Sequence, residues 1–357
     1  MTNDQLTLTL EDGTKLKGKS FGAHTESAGE VVFNTGMVGY PETFTDPSYK
    51  GQIIIVTYPL VGNYGVPKSA ESDHKIEENF ESQGLHIKGV IVTEYSENHS
   101  HHQSIQSLGE WLKEHNIPAI TGVDTRALTQ KIRTKGAMLG TLSRDKHKID
   151  FYDPNQENLV AKVSIKEPQT YQAGPKHVAI IDCGMKLNIL RSFLNRDISV
   201  TRVPWNYDIW EMDQKFDGVF FSNGPGDPSL MKETLDIMKK GFERKIPTFG
   251  ICLGSQIMGI AGGGKTYKLK FGHRSQNQPC IDLETGRCYI TSQNHGYAVD
   301  PKSLDKDWEV WFENANDQTV EGVKHKTLPF FSVQFHPEAT PGPTDTNYLF
   351  DKFVDLL

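Results

Sequence analysis

GICLGSQ, residues 250–256, is the stretch whose reading decides the fold. KIPTF, just before it, reads as a short buried strand that stops abruptly. LGSQIMGIAG, from Leu253, reads as the start of a helix. Cys252 sits at the turn between them, with Gly250 on one side and Gly254 on the other. This G-x-C-x-G spacing is a thiol counterpart of the strained strand-to-helix elbow that presents serine in many hydrolases. A turn this tight leaves no room for a Cβ, hence the two glycines. The elbow would hold the thiol clear of a sheet and aim the N–H of Leu253 and the helix N-terminus at a developing oxyanion. A lone cysteine in such a place is more often a buried packing residue, so its neighbours must decide.

Upstream, the chain alternates strands and helices from residue 176 onward. HVAIIDCG, ISVTRVPW, FDGVFFSNGPGDPS and IPTFGIC read as strands. LNILRSFLNR and LMKETLDIMKKGFERK read as helices between them. That rhythm predicts a doubly wound, mostly parallel α/β sheet, with ligands collecting beyond the strands' carboxyl ends. SNGPGDP and GICLG both fall at such ends and should be neighbours. An irregular β region follows over 265–299, then a last strand, FFSVQFHPE, and a closing helix over DTNYLFDKFVDLL.

His336, Pro337 and Glu338 end that last strand. Proline favours an extended residue before it. In an extended chain the residues at i and i+2 project to one side. Glu338 should therefore orient the His336 imidazole, and His336 could serve Cys252 as a base. A free thiol, with a pKa of about 8.5, is mostly protonated at neutral pH. An imidazole partner and a helix N-terminus would raise its thiolate fraction.

Toward the N-terminus the texture is β-rich α+β. LTLTL, EDG and KLKGKSF form a hairpin over 6–21. VVFNTG, QIIIVTYP and GVIVTEY are strands, and SIQSLGEWLKEHNI and TRALTQKIRTKG are helices, the second ended by Gly136. Periodicity fades from about 144 to 175. The division is a domain over 1–150, a linker over 151–175 and the α/β domain over 176–357.

Composition narrows the function classes. A formal net charge of -7 leaves no basic footprint for nucleic acid. No apolar run approaches a membrane span, and the N-terminal residues show no signal-like region. Four cysteines without a C-x-x-C pair point to a reducing cytoplasm. Cys183 reads as structural, and Cys280 and Cys288 as packing residues flanking a hairpin. His99, His101 and His102 read as a solvated loop, and no metal site is expected. GGGK at 262–265 follows a helix and reads as its exit, not as a phosphate loop.

SNGPGDP, GICLG-x-Q and QFHPE, in that order, resemble class I (triad) glutamine amidotransferases. FNTGMVGYPETFTDPSYKGQI, GVDTRALTQKIRTKGAM, FGH at 271–273, QNHGYAVD at 293–300 and HPEATPGP at 336–343 are similar to the small subunit of carbamoyl phosphate synthetase. This resemblance covers essentially the whole chain. It implies hydrolysis of glutamine through a cysteinyl thioester, with Cys252 as nucleophile, His336 as base and acid, and Glu338 as orienter. It also implies an oxyanion hole at Leu253 and the Gly224–Gly226 loop. Glutamine would be held by Ser48, Gly224, Gly226, Leu253, Gln256, Asn294, Gly296 and Tyr297. Ammonia would pass to a separate large subunit, in a heterodimer or an assembly built from it. ATP and magnesium would be handled there and no cofactor here, in keeping with the absence of a G-x-x-x-x-G-K-[ST] loop. The carbamoyl phosphate would feed pyrimidine or arginine synthesis. Two departures stand out: Ser255, where the family usually has His, and FGHRSQNQP, where it tends to have FGHxGGNHP. The latter makes Arg274, Ser275, Gln276 and Gln278 unusual and predicts another path for that loop. Two rival functions fit parts of the same residues: a stand-alone triad amidase or peptidase on γ-glutamyl compounds, and a non-catalytic regulatory subunit.

Overall fold

The computed structural model describes residues 5–144 and 147–357. Residues 1–4, part of the stretch read for a signal, and 145–146 lie outside the described residues. The chain divides into two compact units, one up to Glu157 and one from Asn158 onward.

The N-terminal unit is built on a closed barrel. The predicted hairpin forms between Gln5–Leu10 and Lys15–Ser20, with Leu8 opposite Leu16. Ser27–Asn34, Gln52–Val56, Gly89–Ile91 and Ala119–Thr121 run parallel. Met138–Arg144, which the sequence reading left out, pairs antiparallel with both Gln5–Leu10 and Ser27–Asn34 and closes the barrel. Of the two predicted helices, the first is shorter than its apolar pattern. Ser107 caps Leu108–Glu114 through a reciprocal capping box with Glu110, so residues before it are free to pair as the strand Ser104–Gln106. The second, Thr125–Lys135, is capped by Asp124 and ends at Gly136, whose φ is 109°.

In the C-terminal unit the sheet is ten-stranded. Its heart is parallel, in the spatial order Ile198–Pro204, Lys176–Asp182, Gly218–Phe221, Thr248–Ile251, Phe330–Val333. Strand order reverses on either side of Lys176–Asp182. The carboxyl ends of that strand and of Gly218–Phe221 therefore border the crevice where such sheets bind ligands. The irregular region over 265–299 is a pair of long antiparallel strands, Thr266–Asp282 and Cys288–Val299, with two register shifts. Arg274 and Ser275 lie within it, opposite Asn294 and Gln293, so this stretch is strand and not loop. Trp308–Asn314 and Val320–His325, also unread in sequence, link that pair to the parallel strands.

Adjacent residues of one strand serve opposite faces, as the pleat requires. Phe220 meets Phe193, Phe249 and Phe350 beneath the closing helix Tyr348–Val354. Phe221 joins Ile181, Leu253 and Ile257 on the other face. Residues 151–175 carry more than a linker. Val160–Val163 forms a helical turn, and Gln169–Tyr171 pairs with Ile198–Pro204 as an edge strand. Among the described residues, no helix is long and apolar enough to cross a membrane.

Candidate active site

Cys252 follows the strand Thr248–Ile251 and is the N-cap of the helix Leu253–Ala261, at φ 54° and ψ -102°. Positive φ is unusual for a residue with a Cβ, and such strain persists only where the surroundings impose it. Here they do. The Cys252 N–H donates to Val333 O at 2.9 Å, and the Gly254 N–H to Ser222 O at 3.1 Å. A Cβ on Gly250 would sit 2.7 Å from the Gly254 carbonyl, and one on Gly254 would sit 2.2 Å from Phe221 O. The elbow closes only with glycine at both positions.

Leu253 lies in the first helical turn, where N–H groups have no partner within the helix. Its side chain packs toward Gly224, where an added Cβ would fall 3.0 Å from Leu253 Cδ2 and 2.0 Å from Cys183 O. Gly226 takes a φ of 92°. The Gly-Pro loop and the elbow are thus neighbours.

His336 and Glu338 meet, but not along an extended strand as the sequence reading supposed. The strand ends at Val333. Residues 336–339 form a turn, closed by the Ala339 N–H on His336 O at 3.1 Å and followed by two positive φ angles at Ala339 and Thr340. The turn puts His336 Nδ1 2.6 Å from Glu338 Oε1. The His336 N–H, bonded to Ser292 O at 2.9 Å, ties it to the strand Cys288–Val299.

Both side chains are buried, as is the Cys252 thiol. Burial pushes the His336 imidazole toward neutrality, but the Glu338 charge and then Cys252 outweigh it and hold the pKa above its usual range. Burial pushes the Glu338 carboxyl up, but Lys186 and then His336 outweigh it and bring the pKa down. Lys186 was missed in the sequence. Its Nζ lies 3.2 Å from Glu338 Oε1 and also donates to Ala339 O. A signal existed: a lysine four residues past a buried strand end, in IIDCGMK, at the edge where ligands bind.

The Cys252 Sγ lies 3.6 Å from Asn294 O. Asn294, Gly296 and Tyr297 are half-buried along one strand. Gln256 donates through Nε2 to Tyr297 O at 3.0 Å and to Gln334 Oε1 at 3.1 Å. Both its amide hydrogens are engaged within the protein, so a substrate contact from Gln256 falls to its acceptor oxygen. Ser255, beside it, shares a 2.9 Å hydrogen bond with Ser332 in the core. Ser48 belongs to the N-terminal unit. It is buried in the turn Pro47–Tyr49, with its N–H bonded to Asp46 Oδ1 at 2.9 Å.

The remaining candidates separate by surroundings. Cys183 and Cys280 are buried and Cys288 is exposed, and all four cysteines are free. His99 bonds Ser104, while His101 and His102 are exposed. Gly262, the first residue of GGGK, caps the elbow helix. The arrangement as a whole can do acyl-transfer chemistry: a thiol at a strained helix N-cap beside a carboxylate-oriented imidazole.

Comparison with known proteins covers both units. Residues 179–356 match the family model for class-I glutamine amidotransferase, and residues 8–142 that for the carbamoyl-phosphate synthase small chain, CPSase domain. The chain is 52% identical to multifunctional protein CAD of Squalus acanthias, over 98% of its own length and 16% of that protein. It is 49% identical to multifunctional protein URA2 of Saccharomyces cerevisiae, over 100% of its own length and 18% of that protein. It is also 49% identical to the carbamoyl phosphate synthase arginine-specific small chain of Neosartorya fischeri, over 99% of its own length and 80% of that protein. The chain spans about a sixth of the length of the multifunctional relatives but most of the small chain.

Proposed function

The chain belongs to the carbamoyl-phosphate synthase small-chain family, and from that premise we propose that it is the glutaminase component of a glutamine-dependent carbamoyl phosphate synthase. In this reading His336, as imidazolium, already holds the Cys252 proton, and the Cys252 thiolate attacks the side-chain carbonyl carbon of glutamine. The tetrahedral oxyanion faces the N–H of Leu253 and the Gly224–Gly226 loop. His336 returns the proton to the departing nitrogen, ammonia leaves, and a thioester remains on Cys252. Water, deprotonated by His336, then attacks the thioester, releasing glutamate and restoring the thiolate. Glu338 fixes the imidazole and stabilises its charged form, and Lys186 holds the buried Glu338 ionised. Gln256, Asn294, Gly296 and Tyr297 bind the substrate.

The observation that carries this reading is the 2.6 Å His336–Glu338 contact beside a cysteine strained into a helix N-cap. Ammonia passes to a large synthetase partner that handles ATP, magnesium and bicarbonate, and the product serves pyrimidine or arginine synthesis. Four free cysteines fit a cytoplasmic setting. The test is glutamate release from glutamine by the chain, alone and with the large partner, ATP and bicarbonate, with Cys252→Ser as control. Weak release, stimulated by the partner and lost in the variant, is expected. Fast partner-independent release would make it a stand-alone amidase, and no release from folded protein would leave a non-catalytic subunit.

A further inference from the structure

Behind the strand that bears Asn294 and Gly296 lies a buried cluster with no part in the chemistry above. Glu321, on the strand Val320–His325, is fully buried. A carboxylate in that position is costly unless donors surround it. Its Oε1 meets His273 Nδ1 at 3.3 Å and lies 3.7 Å from His295 Nε2. It also accepts from Asn314 Nδ2 at 3.3 Å and from Thr319 Oγ1 at 3.4 Å. His273 Nε2 in turn reaches Asp317 Oδ2 at 2.8 Å. On the far side, His295 Nδ1 donates to Tyr297 O at 2.8 Å, the carbonyl that also accepts from Gln256 Nε2. A line of polar groups therefore runs from Asp317 through His273 and Glu321 to His295 and, by way of the Tyr297 carbonyl, to Gln256, one turn into the helix that Cys252 begins; its one step longer than a hydrogen bond is the 3.7 Å approach of Glu321 to His295.

We propose that Glu321 is a positioning residue: through His295 it fixes the Asn294–Tyr297 segment against the thiol and so sets the affinity for glutamine. The inference rests on the glutaminase reading. Its logic is local. His295 stands between Asn294 and Gly296, and side chains alternate along a strand. Anchoring the imidazole from behind therefore orients the backbone and side chains that face the elbow. A metal is the other occupant such a trio could take, since one donor atom from each of His273, His295 and Glu321 lies within 4.8 Å of the others. Donors around a tetrahedral ion at about 2.0 Å stand only about 3.3 Å apart. Moreover, His295 Nε2 is already 3.1 Å from Gln293 Oε1, and both His273 nitrogens face carboxylates. Glu321 Oε2 is buried without a hydrogen-bond partner, but the spread of the donor atoms and the bonds the ring nitrogens already make do not suit an ion.

The experiment measures KM and kcat for glutamine hydrolysis, with the large partner present, for the unaltered chain, Glu321→Gln, Glu321→Asp and Asp317→Asn. Glu321→Gln keeps the shape and removes the charge. Its KM should rise about tenfold with kcat within about threefold, the pattern of lost binding shared by ground and transition states. Glu321→Asp should recover part of that loss. Asp317→Asn, at the half-exposed end of the line, should shift KM the same way by about two- to threefold, and it serves if the Glu321 variants fail to fold. Unchanged KM in folded Glu321→Gln, a loss confined to kcat, or stoichiometric zinc in the purified protein would overturn the proposal. An unaltered chain that never hydrolyses glutamine would instead sink the glutaminase reading, and this inference with it.

Discussion

Cys183 and Cys252 each follow a buried strand of the same parallel sheet, at 0% and 2% exposure, and differ in nearly everything else. After Cys183 comes Gly184 at a φ of 110°, then a turn leading to the helix Leu187–Leu194. The Cys183 thiol sits in the core. Burial, reinforced by the charge of Asp182, pushes its pKa far up, so it stays protonated. After Cys252 the helix begins at once. The strain is carried by the cysteine itself, and an imidazole with its own carboxylate stands beside it. Burial, then, does not distinguish a packing thiol from a proposed nucleophile. What does is where the left-handed residue falls and which charges the sheet delivers to the thiol.

The sharpest way to break this contrast is to exchange the two thiols' fates. Cys252→Ser should reduce glutamate release by at least about a thousandfold, because the alcohol is far less ionised than the thiol. Cys183→Ala should leave the rate within about threefold and cost about 1 kcal/mol of stability. Steady-state rates and denaturant midpoints on both variants decide it. Comparable losses of rate would mean that Cys183 shares the chemistry.

A second prediction tests whether the elbow's geometry is imposed by packing. Gly254→Ala would drive a Cβ to 2.2 Å from Phe221 O, a backbone atom that cannot swing aside. The expected cost is about 3 kcal/mol, at the upper end for overpacking, read as a lower unfolding midpoint. A variant as stable as the parent would mean the elbow can relax, and that strain at Cys252 is not enforced.

The third prediction crosses the comparison, because Lys186 comes from the turn that follows Cys183 yet serves the other cysteine's partners. Lys186→Met keeps the length and removes the charge facing Glu338 at 3.2 Å. Glu338 then loses the first of the two groups that outweigh its burial. The rate should fall by about ten- to thirtyfold, with the optimum shifted to higher pH as the carboxyl ionises less readily. An unchanged pH profile would show that His336 alone keeps Glu338 charged.

These particulars also mark what the sequence could disclose. The parallel sheet and its class follow from strand–helix alternation, because apolar period and length report burial directly. The elbow is legible because tight backbone geometry admits only glycine at Gly250 and Gly254. The turn at His336 is not: an extended residue before Pro337 is compatible with a continuing strand or with a turn that has proline second, and the bonds that choose the turn, to Ser292 and within 336–339, belong to the assembled fold. Lys186 and Glu321 stay hidden for a related reason. A charged residue in an apolar run reads as exposed, and only the assembled sheet supplies the partner that lets it be buried. Trp308–Asn314 and Val320–His325 passed unread because their alternation is broken by register shifts and by that same buried charge.

The smallest predicted effect asks the burial question of a histidine. At Cys183 burial wins and the group is neutral. At His273 burial also favours the neutral form, yet Asp317 and Glu321 outweigh it and raise the pKa to about 9. The other titratable group facing it is His295, whose own pKa is pushed down, first by burial. A group with a folded pKa above its unfolded value binds its proton more tightly in the native state. The stability this confers is complete below about pH 6.5 and is lost as pH rises through about 9. Since Asp317 is 44% exposed, solvent screens part of the interaction, and a loss on the order of 1 to 2 kcal/mol between pH 6.5 and 9.5 is expected. Chemical denaturation across that range should show the decline in the parent chain and a flatter profile in Asp317→Asn, where one of the two opposing charges is gone. An equal decline in both would place the titrating group elsewhere. A rise with pH would mean that burial governs His273 as it governs Cys183, and the contrast between partnered and unpartnered buried groups would fail at its second site.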